Sequence, residues 1–430
     1  REERTGGVRV IRVAPDAPLG ATAPAAATPA PSEAASPSSL QRVLDTLAGP
    51  ARLLLAPGQY HLAARDWRDP SCGNCEDPAT PIPATVGLRV SGRGIEIAGV
   101  HADSVVIHTN AGYGILFDRC DGCALRAVTV TGGRRDADGR ATDGAVVVRE
   151  STVVLEACAL RDNLGDSATI TQVVVGIIGV VGREGARIDV RGCRIERNSW
   201  DGIALYHGAR ASIQGNVIDG VDKAAGARVG GGRGVGIGLT WDAEAEVVGN
   251  LVRRYWKGIG VFVDARAEVR HNVVEDVLTW GIAYWGAGRG RAVARIRENA
   301  VFGTGACGAM LDRASDPVGD PSAPLGAGAG APDAPGDFIG NAIVRTGQNA
   351  RYDSGEPYCV QRPLARHAVP AGFAIERNLF HDNRQPGDAA REPELERAAF
   401  EAALAPLLNA LRAYPALAGS AFLREFGGGR

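Results

Sequence analysis

Asp201, Arg233 and Lys257 occupy the same place in three successive phrases of the chain, each one residue ahead of a glycine that opens a short apolar run. A carboxylate, a guanidinium and an ammonium in one column are the groups that proton transfer and recognition of anionic substrates require. Trp200 and Trp256 directly precede two of them. Trp280 takes the column one phrase further on, Tyr206, Phe262 and Trp285 follow their glycines by four residues in an outward column that earlier holds Val148 and Val180, and His207 and Trp241-Asp242 lie close in sequence. Aromatic faces stack on the apolar faces of sugar rings, while charged groups bond hydroxyls and uronate carboxylates. The pattern therefore suits an extended polysaccharide lying along a groove. Tyr206, Trp241, Trp256, Phe262, Trp280 and Trp285 are the candidate carbohydrate contacts, and Lys257, Arg233, Asp201, His207 and Asp242 the candidate catalytic groups. The plainer reading is that the aromatics cover loop attachments or a protein interface.

Two mechanisms divide these residues. A β-eliminating polyuronate lyase needs a base for a carbon-bound proton and cations beside the adjacent carboxylate; Lys257, Arg233, Arg254, His207 and Tyr206 are available. A glycoside hydrolase needs paired acids across the scissile bond, for which Asp201, Asp242 and Asp264 are available. A third group of chemistry-bearing residues is the pair of motifs Cys72-Gly-Asn-Cys75 and Cys120-Asp-Gly-Cys123. Four thiolates at that spacing can hold zinc. Disulfides fastening the loop of residues 66–85 to neighbouring elements are the stronger alternative, and free thiols the third. The sequence requires no other cofactor.

The elements that must position these residues repeat. Ile188-Asp-Val190-Arg-Gly-Cys193, Ile213-Gln-Gly-Asn216, Val247-Val-Gly-Asn250 and Val269-Arg-His-Asn272 each pair an apolar residue with a small or amide residue three positions later. Each is followed by a glycine phrase, at Gly202, Gly234, Gly258 and Gly281. The amide position can be followed as Val100, Val128, Cys158, Cys193, Asn216, Asn250, Asn272, Asn299, Asn341 and Asn378, at spacings of 22 to 42 residues. Short strands repeated with loops of variable length describe a solenoid, in which each unit touches only its neighbours. Equivalent side chains then stack in columns, and the asparagines are expected to bond side chain to side chain, as amide ladders do. Alternation turns the residues one and three after each glycine inward and those two and four after it outward. The charged column ahead of the glycine is expected at a solvent-facing corner.

Upstream, Val8 to Val13 alternates as a strand, residues 14–39 form an Ala/Pro-rich linker, and Ser38-Ser39 offers a cap for a helix from Leu40 to Leu47. Arg52-Leu-Leu-Leu-Ala-Pro-Gly-Gln-Tyr-His-Leu62 then reads as strand, tight turn and strand. With the strand and helix before it, this stretch resembles the opening turn of the right-handed parallel β-helix proteins of the pectin-lyase-like superfamily, and the resemblance runs through the repeats to about residue 383. It implies an all-β, right-handed parallel β-helix of about ten coils. The organisation is then an N-terminal strand and linker over 1–39, a cap helix over 40–50, the β-helix over 51–390 and a helical cap over 391–430, covering the strand edges at the solenoid's end. The superfamily includes lyases, hydrolases, epimerases and noncatalytic proteins. Polygalacturonase, pectate lyase and alginate epimerase signatures are missing, Tyr206-His-Gly208 being only a fragment of the first. The competing class is a noncatalytic extracellular structural, adhesive or filament-forming β-helix protein, self-associating through the N-terminal strand.

Net charge of -2, from 47 basic and 49 acidic residues, argues against nucleic acid as a partner. The longest apolar run, Val173 to Val181, is short of the roughly 18 residues a membrane span needs. Eight cysteines suit an oxidising compartment, with Cys307 and Cys359 placed to tie the two largest insertions together. A chain opening at Arg1 without Met reads as a processed product, and the expected location is secreted or cell surface.

Overall fold

The structure, a computed structural model, describes residues 2–5, 8–19, 38–47, 49–173, 175–220, 234–286, 291–312, 335–350, 362–367, 369–384 and 390–428. Short strands with inward apolar residues pair with the equivalent strands of the next coil, giving three sheets of 13, 11 and 11 strands that wind around one core. Pairing is parallel throughout, apart from two antiparallel edge pairs, Glu2–Thr5 with Val8–Val13 and Arg65–Asp69 with Ile82–Arg93. One coil runs through Arg187–Arg191 on the first sheet, Arg194–Glu196 on the second and Ile203–Leu205 on the third, before Arg210–Gln214 begins the next.

The corner between the first and second sheets explains the asparagines. The residue before each takes a left-handed conformation, as at Gly215, Gly249, His271 and Glu298. Outside glycine that conformation costs roughly 1–2 kcal/mol. Its N–H is satisfied by the next coil, as His271 N–H is by Glu298 O at 3.1 Å. The following asparagine accepts from the coil below at both the backbone and the amide nitrogen. Asn216, Asn250, Asn272, Asn299, Asn341 and Asn378 are linked in this way at 2.9 to 3.1 Å. A second ladder lies at the next corner, where Asn163 Nδ2 donates to Asn198 Oδ1 at 2.9 Å. The sequence reading did not separate this column from the loops.

Register corrects three expectations. Val105, not Val100, fills the asparagine column, because Thr129 pairs with Val106; a 3-10 turn at Ala102–Ser104 displaces Val100 to 77% exposure. On the third sheet, Ile203 pairs with Ile237, so the equivalent of Gly202 is Gly236 and not Gly234. On the same sheet Val146 pairs with Val180 and Ile115, which puts Arg149 and Arg183 in the outward column where Val148 and Val180 were expected.

The ends also differ from expectation. Val8–Val13 is not free to pair with another subunit: it pairs in parallel with Ala51–Leu55 of its own chain and buries Ile11 and Val13. The helix Ser39–Asp45, capped by the Ser38 hydroxyl, seats Leu40 and Leu44 against the core at this end. At the other end, residues leading into the C-terminal helices cover the last strand of the second sheet, where Leu395 N–H donates to Phe380 O at 2.9 Å, and the helices Arg397–Leu411 and Ala421–Phe426 then run along the side of the solenoid. Phe400, Leu404, Leu411 and Phe422 pack on Leu251, Val273, Ala300 and Ala342, the outward face of the second sheet. That face is apolar in these coils and has to be covered.

Candidate functional site

The outward face of the third sheet is covered over its first coils and again around Ala283 and Met310, which are at most 2% exposed beside Trp280 and Trp285, with a cavity between the two covered parts. Over the first coils lies the hairpin of Arg65–Asp69 and residues 82–86, with the loop of residues 70–81. Beneath it Leu116, Val147, Val181 and Ala204, all outward-pointing, are at most 1% exposed, packed with Cys72, Ile82 and Ala84. Arg183 anchors the hairpin: it is fully buried, forms an ion pair with Asp69, and donates to Ser71 O at 3.3 Å. Tyr113 also donates to Asp69, at 2.7 Å. Arg149 meets Asp118 at 2.8 Å in the same column and lies 5.9 Å from the Trp67 ring. A buried charge column is thus tolerated because every member has a partner. The segment after Thr131 is held similarly, with Arg135 paired to Asp143 and Asp136 N–H donating to Asp143 at 2.6 Å.

Where the hairpin ends, a cavity of about 350 Å³ opens, lined by Trp200, Asp201, Ala204, Tyr206, Gly234, Val235, Gly238, Thr240, Trp256, Lys257 and Phe262. Gly238 forms bare floor: a Cβ there would meet nothing closer than Val235 at 3.5 Å. Of the expected site residues the fold brings together Asp201, Tyr206, Lys257, Trp256 and Phe262. Trp200 and Thr240 join them, Thr240 having been obscured by the register.

Asp201 is 7% exposed and accepts from Val235 N–H at 2.6 Å. Burial pushes its carboxyl up to about 7, opposed by that N–H and by the Lys257 ammonium. Burial, with Asp201 close by, pushes the Tyr206 phenol up, so it stays protonated at neutral pH. Lys257 lies 4.4 Å from the Trp280 ring centroid and 5.3 Å from that of Trp256, in cation–π contact with both. The cavity therefore offers a carboxyl that titrates near neutrality, a phenolic donor and a cation.

The other candidates sit elsewhere. His207 bonds Cys75 O at 2.7 Å and stacks on Trp241 at 5.9 Å, bracing the hairpin. Trp241 and Asp242 form the left-handed corner after the third sheet, where Asp242 N–H donates to Asp264 at 2.9 Å; burial and then Asp264 raise the Asp242 carboxyl. Trp280 is 1% exposed rather than at a solvent-facing corner. Trp285 packs edge-on against Phe262 and Trp280, beside the cavity rather than lining it. Arg254 pairs with Asp219 at a different corner. Arg233 lies outside the described residues.

The four-cysteine zinc site is not formed. Cys72 and Cys75 are joined in a disulfide on the outer side of the third sheet, whereas Cys120 and Cys123 are thiols on the core side, so the pairs do not converge. The disulfide closes within its own motif rather than tying the loop to a coil. Among the described residues no group of three or more His, Cys, Asp and Glu side chains is placed to hold a metal. Cys158 and Cys193 are buried thiols in the asparagine column. Cys307 is disulfide-bonded, and Cys359, its expected partner, lies outside the described residues. Among the described residues no helix is long and apolar enough to cross a membrane.

The family described as "Right handed beta helix region" matches residues 85–301, and the chain belongs to it. No curated protein matches the sequence significantly. Among solved structures the chain is similar to pectate lyase Pel9A, at 14% identity over 69% of this chain and 76% of that one, with a TM-score of 0.39. It is also similar to the A-module of the Azotobacter vinelandii mannuronan C-5 epimerase AlgE6, at 12% identity over 79% and 93%, TM-score 0.36. A third is PfbA, a surface adhesin of Streptococcus pneumoniae, at 9% over 78% and 69%, TM-score 0.40.

Proposed function

We propose that the protein binds an acidic polysaccharide in the cavity beside the hairpin and cleaves it by β-elimination. The observation that carries this reading is the convergence of Asp201, Tyr206 and Lys257 between Trp200 and Trp256. In elimination a base removes the proton on the carbon next to the uronate carboxylate, a cation stabilises the charge passed to that carboxylate, and an acid protonates the departing glycosidic oxygen as the new double bond forms. Asp201, ionised above about 7, is suited to take the proton. Lys257 is suited to pair with the carboxylate, and the neutral Tyr206 phenol to supply the departing proton. Trp200, Trp256 and Phe262 offer stacking surfaces for the sugar rings.

Hydrolysis is the weaker reading. It needs two carboxyl groups flanking one bond, and among the described residues Asp201 is the single carboxyl lining the cavity, with Asp242 held at the corner by Asp264. The disulfides at Cys72–Cys75 and Cys307 favour an oxidising compartment, which supports a secreted or cell-surface location.

The test is incubation of the purified protein with uronate polymers and neutral polysaccharides, followed by ultraviolet absorbance of unsaturated products and by reducing-end release. The expected result is new double bonds from a uronate polymer, abolished in Lys257→Ala. Reducing ends without double bonds would replace elimination by hydrolysis. Binding without either would move the protein to the noncatalytic class.

A further inference from the structure

We infer that the disulfide-bearing hairpin is an end wall, so that the cavity receives the terminus of a glycan chain rather than its middle. This rests on the reading of the cavity as a glycan site and concerns how the polymer enters it. An open sheet face would let a linear polymer run along the solenoid across successive coils. Here Leu116, Val147, Val181 and Ala204 are buried by the hairpin, so no such track exists on the N-terminal side.

The wall stands directly against the cavity. Cys75, Trp67, Trp200 and Tyr206 pack on one apolar cluster, and two of these, Trp200 and Tyr206, line the cavity itself. Cys75 O is held by His207, the residue following Tyr206. The wall is also rigidly built. Asp69 is fully buried between Arg183 and the Tyr113 hydroxyl, and Gly73 lies so close to the Arg183 side chain that a Cβ would come within 2.2 Å of its Cδ. The disulfide closes the loop between these anchors and the His207 contact. A volume of about 350 Å³ is at the small end of the range for small-molecule pockets, as suits a short terminal segment rather than a long one.

Binding stoichiometry tests this without requiring cleavage. Calorimetric titration of a cleavage-deficient Asp201→Asn protein, which keeps Lys257 to pair with the uronate, or of the native protein at a pH where it is inactive, uses linear oligouronates of increasing length. End recognition predicts one protein bound per chain whatever the length. Stoichiometry that rises with chain length overturns it, even where glycan binding and elimination are both confirmed. With native protein and long polymer, the expected products from the earliest times are short and uniform, with the mean polymer length slow to fall. A rapid fall with products of mixed size refutes the wall. Asp69→Asn, checked for a native circular dichroism spectrum, should release the hairpin and shift the pattern towards internal cleavage and multiple occupancy. Unchanged patterns in a folded Asp69→Asn protein whose hairpin has become protease-sensitive count against the inference. Failure of binding and of cleavage with every uronate removes the underlying reading and this one with it.

Discussion

Replacing Asn272 by alanine isolates what the amide ladder contributes to the solenoid. The Asn272 amide nitrogen donates to Val247 O at 2.8 Å and to Asn299 Oδ1 at 3.0 Å. Its oxygen accepts from the Asn250 backbone N–H at 2.9 Å and from Asn250 Nδ2 at 3.0 Å. Asn272→Ala therefore leaves two donors of Asn250 buried without their acceptor. Asn299 Oδ1 keeps the backbone N–H of residue 272, and Val247 O loses a side-chain donor. At about 1–3 kcal/mol for each orphaned buried group, the loss should be roughly 3–5 kcal/mol. Urea unfolding followed by circular dichroism reads this as a lower midpoint. Because repeat proteins can unfold in steps, hydrogen exchange supplies the local readout, with faster exchange expected in Leu251–Arg253 and Val273–Glu275 before distant coils. A loss below about 1 kcal/mol, the size of one ordinary hydrogen bond, with unchanged local exchange would refute the ladder as a stabilising element.

Four further outcomes are expected. Asp201 binds a proton more tightly folded than unfolded, so its contribution is favourable at low pH and is lost as pH rises towards about 7. Asp201→Asn should gain stability relative to the native protein across that interval, levelling above it at up to about 4 kcal/mol, measured by unfolding midpoints against pH; a constant difference would refute the shift. Elimination by the native protein should rise over the same interval as Asp201 ionises, and a flat pH–rate profile would remove Asp201 as the base. Arg183→Met should cost about 3–5 kcal/mol by stranding Asp69, and Asp69→Asn in the same chain should recover much of it, as read by thermal unfolding. Cys120, Cys123, Cys158 and Cys193 should resist a thiol reagent in the native protein and react on unfolding; rapid native labelling would show that these coils are not packed as described.

The glycine phrases show where sequence reading stops. Gly234-Val-Gly236-Ile-Gly238 can be slid by two residues without moving any side chain to the other face, so alternation alone cannot select Gly236. In Gly144–Arg149 every residue is buried, one face by the core and the other by the hairpin, and alternation is silent there too. The resulting slips, of one residue at Arg149 and three at Arg183, hid both arginines, and with them the anchor of the hairpin. Trp280 was misplaced for a related reason: an aromatic ahead of the glycine is equally compatible with a corner and with a packed cluster, and only its neighbours Phe262, Trp285 and Met310 decide.

What the sequence determined by itself is what depends on local periodicity and on chemistry repeated from coil to coil: the asparagine column, the inward apolar positions, the Ser38 cap and the solenoid they imply. Asp201 and Lys257 were legible as neighbours because they hold equivalent places ahead of a glycine, two coils apart with Val235 between them, and Tyr206 because it follows the same glycine as Asp201. Only the tertiary structure decided the rung register on the third sheet, the hairpin folded over its outer face, the Cys72–Cys75 closure, the lateral seat of the C-terminal helices and the use of Val8–Val13 within the chain. Each of these depends on contacts between segments far apart in sequence, which no local spacing encodes, and those contacts set where the cavity lies.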